Sequence, residues 1–91
     1  MIRLNVFLQA EAANFAKVLE AAKELTAASL KEEGCIAYDV FESATRPGIL
    51  LICETWSNET ALAAHEKTEA FLKNIVVLKE SSKVKVEKFE F

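Results

Sequence analysis

The chain predicts an α+β fold of the ferredoxin-like kind, β-α-β-β-α-β, with one antiparallel sheet and its helices on a single face. Three observations predict it. Two stretches with helical spacing of apolar residues, about Glu11–Glu33 and Ser57–Lys79, each lie between segments that read as strands. The chain's only proline sits beside one of its two glycines, in a short turn between two strand-like runs. Finally, Ile49, Leu50, Leu51, Ile52 and Cys53 are apolar at every position, so both sides of that strand leave water. Helices on one face cover only one of those sides. The other side needs a partner, and a second copy of the chain is the simplest one.

Each element follows from its residues. Ile2, Leu4, Val6 and Leu8 alternate with Arg3, Asn5, Phe7 and Gln9, which predicts a first strand with one fully apolar face. In the alanine-rich segment that follows, Phe15, Val18, Leu19, Ala22, Leu25 and Leu30 recur near helical spacing, opposite Lys17, Glu20, Lys23, Glu24 and Lys31. Gly34 is the expected C-terminal cap, because glycine enters the left-handed conformation without a Cβ penalty. Cys35–Ser43, carrying Ile36, Tyr38, Val40 and Phe41, predicts a second strand; Ser43–Gly48 turns the chain back into a third, Ile49–Trp56.

Ser57 or Asn58 can cap the next helix, with Glu59 at its positive end. The polar stretch His65–Glu69 predicts a bend or break near Thr68. Val84, Val86, Phe89 and Phe91 predict a last strand, whose change of phase between Val86 and Phe89 suggests a bulge.

Ninety-one residues make one domain, residues 1–91, with a thin core. A net charge of -3 without a basic cluster argues against nucleic acid, and no apolar run approaches the ~20 residues of a membrane span. The opening residues lack a signal-peptide layout, so a cytoplasmic location is the expectation. Cys35 and Cys53 are expected as free thiols, since a hairpin centred near Arg46 sets Cys53 opposite position 38 or 39. One histidine without a ligand cluster predicts no zinc or iron site.

Chemistry concentrates at the end of the third strand. Glu54 and Trp56, two residues apart, share a face with Leu50 and Ile52. His65, the only histidine, follows Trp56 by nine residues, about two turns into the next helix, so a helix folding back over the sheet can hang its imidazole above Glu54 and Trp56. Asn5 and Tyr38 are polar-capable groups on neighbouring strands. Which face each presents depends on register, because a one-residue slip inverts it.

Several of these segments together resemble the antibiotic biosynthesis monooxygenase family. They are Ser29 with Glu32-Glu33-Gly34-Cys35-Ile36, Tyr38 and Val40; Glu54-Thr55-Trp56; and Ala61-Leu62 with His65 and Phe71. The resemblance spans nearly the whole chain. It implies a homodimeric α+β barrel whose sheets pack face to face, and a cofactor-free oxidation of a phenolic or quinol-type aromatic small molecule with O2. Under it, His65 is the catalytic base, Glu54 orients it or binds a substrate hydroxyl, Trp56 and Phe71 wall the ring, and Asn5 and Tyr38 hold its oxygen substituents. An imidazole suits the first role because its usual pKa of about 6.5 lets it take a proton near neutrality.

The chain departs from many relatives in carrying Ala70, rather than histidine, before Phe71. Two other functions fit the same residues: proton-transfer isomerisation of a small phosphorylated carbonyl compound, and non-catalytic binding of a hydrophobic small molecule. In structural terms, His65 and Glu54 could equally be a structural or solvated histidine and an ion-paired glutamate, and Trp56 and Tyr38 ordinary packing residues.

Overall fold

A computed structural model describes residues 1–91. Its elements are β1 (Ile2–Gln9), α1 (Ala12–Ser29), β2 (Cys35–Glu42), β3 (Ile49–Trp56), α2 (Glu59–His65), α3 (Glu69–Ser81) and β4 (Lys83–Glu90). The sheet runs β2-β3-β1-β4, with β1 antiparallel to both β3 and β4, and β2 antiparallel to β3. This is the expected ferredoxin-like plan, with the second helical stretch divided in two.

The division falls at Thr68. Its hydroxyl accepts from Phe71 N at 3.2 Å and donates to His65 O at 2.8 Å, so one side chain ends α2 and starts α3. Asn58, not Ser57, caps α2, accepting from Ala61 N at 2.9 Å.

Alternation along the pleat sets the layers. Ile2, Leu4, Val6 and Leu8 of β1 are buried, as are Leu50, Ile52, Glu54 and Trp56 of β3. The register Leu4↔Glu54 and Val6↔Ile52 places both sets on the helix-covered face. There they meet Val18, Ala21, Ala22 and Leu25 of α1, with Leu62 of α2 and Leu78 of α3 completing the core. The opposite face carries Phe7, Phe41, Leu51 and Phe89. Nothing in this chain covers it: Phe41 and Phe89 are each about half exposed.

Three expectations need correction. Helix α1 stops at Ser29, so Leu30 projects into solvent and Gly34 is not its cap. Gly34 instead lies in the turn before β2 at φ 84°, with its carbonyl accepting from Ser57 N at 2.8 Å. A Cβ there would stand 2.5 Å from Ala61 Cβ, so glycine is what lets this turn press against α2. The bulge predicted in β4 is absent, since β4 pairs with β1 in unbroken register and Phe89 simply faces the other side of the sheet from Val84 and Val86. The one irregularity is in β2, between Cys35 and Ala37. Both cysteines are free, and Cys53 pairs across from Asp39 as the hairpin geometry required.

Candidate active site

Three elements converge at the C-terminal end of β3. The strand itself turns Glu54 and Trp56 toward the helices. Tyr38 of β2 sits directly across from Glu54 and therefore shares its face. The short helix α2 then returns over the strand end and delivers His65 from its last turn. All four residues are buried.

Their rings form a packed aromatic group. The His65 imidazole lies 4.4 Å from Trp56, centroid to centroid, at an interplanar angle of 36°. Tyr38 stands 5.9 Å from His65 and meets Trp56 edge-on at 6.4 Å. Phe71, at the start of α3, meets His65 edge-on at 5.1 Å. These separations are those at which aromatic pairs gain beyond simple burial.

Each polar atom has an identifiable role. Trp56 Nε1 donates to Glu54 Oε1 at 2.9 Å, which fixes the indole and gives the buried carboxyl a partner. Burial pushes the Glu54 carboxyl above the ordinary range, and the Trp56, His65 and Tyr38 neighbours only partly offset that cost. Burial, with Glu54 beside it, pushes the Tyr38 phenol far above its usual range, so it stays protonated. The orientation of His65 comes from elsewhere: its Nδ1 lies 2.9 Å from Oε1 of Glu32, in the turn after α1. The expectation that Glu54 orients the imidazole is thus replaced by a division of labour, with Glu32 on the histidine and Glu54 on the tryptophan. Glu32 stands in the Glu-Glu-Gly-Cys run, but its partner lies 33 residues away and is visible only once α2 is in place.

Asn5 does not join the group. It pairs with Cys53 and so occupies the uncovered face, where its Oδ1 accepts from Arg3 Nε at 3.3 Å. The four rings pack against one another, and those of Tyr38, Trp56 and His65 are buried. Surface hollows of about 900, 500 and 320 Å³ lie elsewhere, the first around Gln9, Phe15, Gly48 and Lys83 at the far end of the sheet. Phe71, half-buried, and Glu32, whose side chain is 19% exposed, are the members that reach solvent. No cluster of three or more metal-binding side chains is present.

The Glu54 shift has a definite sign. Above the ordinary carboxyl value of 4.5 the unfolded chain releases this proton while the folded chain retains it, so folding stability falls as pH rises through that window. Glu54→Gln keeps an acceptor for Trp56 and removes the titration. Urea unfolding of both proteins from pH 4 to 8 should show the wild type losing stability relative to Glu54→Gln as pH rises. A difference that changes in the opposite direction contradicts the assignment.

Comparison with known proteins matches this chain to one family. The family model described as "Antibiotic biosynthesis monooxygenase" matches residues 1–75. YcnE of Bacillus subtilis strain 168, provisionally named a monooxygenase, is 30% identical over 71 residues, which cover 78% of this chain and 75% of YcnE. A solved protein of Bacteroides thetaiotaomicron, described as of unknown function and a candidate oxidoreductase, is 59% identical. It superposes with a TM-score of 0.96 over 99% of this chain and 96% of its own. A Deinococcus radiodurans structure, provisionally described as an antibiotic biosynthesis monooxygenase, is 28% identical with a TM-score of 0.91, covering 100% of this chain and 92% of its own. The chain belongs to the antibiotic biosynthesis monooxygenase family.

Proposed function

We propose that the protein is a cofactor-independent monooxygenase acting on a phenolic or quinol-type aromatic molecule. The observation that carries this reading is the buried imidazole of His65, packed at a tilt against Trp56 and held at Nδ1 by Glu32. An electron-rich aromatic anion transfers an electron to O2 far more readily than the neutral phenol does, so the enzyme's first task is to remove a proton. His65 is placed for that task, with the free ring nitrogen Nε2 as acceptor. For a phenol with an unsubstituted ring carbon, one atom of O2 becomes the second carbonyl of a quinone. The other leaves as water with the two hydrogens that the substrate gives up.

The remaining residues supply the surroundings. Trp56, fixed by Glu54, is a stacking wall; Tyr38 donates to a substrate oxygen; Phe71 gives way to or packs on the incoming ring. The dryness of this group protects a reactive anion from competing protonation by water.

The apolar sheet face completes the reading. The uncovered face carrying Phe7, Phe41, Leu51 and Phe89 supports a homodimer in which two sheets pack face to face. Asn5 lies in that interface rather than at the substrate.

Two measurements test the proposal. With chemically reduced quinols and naphthols as substrates, the wild type should consume O2 above the autoxidation background. His65→Ala should reduce kcat by about 10²- to 10⁴-fold while remaining folded; unchanged uptake in that variant removes His65 from the reaction. Sedimentation equilibrium should show a dimer, and Leu51→Asp should dissociate it. A monomeric wild type at micromolar concentration refutes the assembly.

A further inference from the structure

We infer that Glu32 is the positioning residue of His65, selecting the ring tautomer in which Nδ1 carries the hydrogen and Nε2 is the free base. The inference rests on the reading of His65 as the base, and it assigns a role to a residue outside the strand-end group.

The turn holding Glu32 is fixed on every side. Glu32 N donates to Ser29 O at 3.0 Å, and Cys35 N donates to Glu32 O at 3.2 Å, tying the residue to the end of α1 and the start of β2. Gly34 O accepts from Ser57 N, anchoring the same turn to the approach of α2, and the missing Cβ at Gly34 allows that closeness. The carboxylate and the imidazole therefore meet at 2.9 Å from two segments that are tied to each other at Gly34 and Ser57.

The chemistry follows from the donor inventory. An ionised carboxylate only accepts, so the ring nitrogen facing it must donate. In the neutral ring that leaves Nε2 with its lone pair. Free imidazole favours the opposite tautomer, so without Glu32 the ring would present N–H where a base needs an acceptor. Ser29 Oγ is the one fully buried side-chain oxygen or nitrogen lacking a hydrogen-bond partner. His65 Nε2 has no hydrogen-bond partner within the chain, and with His65 only 2% exposed a phenol hydroxyl reaches it once Phe71 moves aside. When Nε2 takes that proton, the resulting imidazolium is stabilised by a charge-assisted bond to Glu32.

Because His65 is the only histidine, ring-¹⁵N histidine labelling yields a single set of resonances. At a pH where the ring is neutral, the wild type should show Nδ1–H with Nε2 unprotonated. Glu32→Ala should move the ring to the Nε2–H form. Glu32→Gln, whose amide oxygen can still accept, should retain the wild-type pattern and confirms that the effect is not mere loss of packing. In quinol turnover, Glu32→Ala should lower kcat by roughly 10²-fold with KM little changed, and Glu32→Gln should recover much of it. An unchanged ring spectrum in Glu32→Ala overturns the proposal, as does a changed tautomer with undiminished kcat. A wild type that turns over no quinol but shows the Nδ1–H ring and its loss in Glu32→Ala leaves the pairing standing and defeats only the oxidation reading.

Discussion

Strand β3 is the constraint on which the molecule depends. It lies between β1 and β2, so its pleat decides what both sheet faces contain. Even-numbered positions run Leu50, Ile52, Glu54, Trp56 beneath the helices, beginning as hydrophobic core and ending as a polar and aromatic site. Odd-numbered positions run Ile49, Leu51, Cys53 on the uncovered face. One strand thus builds the core, the site and the apolar outer surface, and a single-residue slip would exchange them.

Burying Glu54 is costly, and the surroundings show how the cost is contained. An isolated carboxylate away from water is strongly disfavoured, and the group responds by holding its proton to higher pH and by taking the Trp56 N–H. In return the indole is fixed in one orientation, which gives the imidazole a flat surface to rest on. Glu32 acts from the other side, so that His65 is constrained both across its face and at its edge. Rigidity of this kind is what a proton-accepting group needs to meet a substrate without reorganising.

Much of this was legible in the residues. The alternation in β1, the apolar run in β3 and the Pro47-Gly48 turn define the sheet, and spacing set Glu54 with Trp56, while His65 joins them because α2 folds back over the strand end. The features that were not legible are those fixed by tertiary contact. Gly34 reads as a helix cap by local rules, yet its conformation serves the approach of Ala61 and Ser57, more than twenty residues on. Asn5 had the right chemistry but the wrong parity, which only the pairing with Cys53 reveals. The phase change in β4 imitates a bulge because an exposed edge strand can carry a phenylalanine on either side. Glu32 gave no signal by itself, since an acidic residue in a turn is ordinary until a histidine is found facing it.

The close packing around His65 gives the account its sharpest exposure to test. Under the proposed function a substrate ring enters on the side of Phe71 and Glu32, whereas a hollow of about 900 Å³ lies at the opposite end of the sheet. A crystal structure with a redox-inert phenol bound at saturating concentration addresses this directly. The account predicts the phenol oxygen within hydrogen-bond distance of His65 Nε2 and its ring against Trp56, with Phe71 displaced. A phenol seated instead among Gln9, Phe15 and Gly48, with the His65 group closed and unchanged, would contradict it.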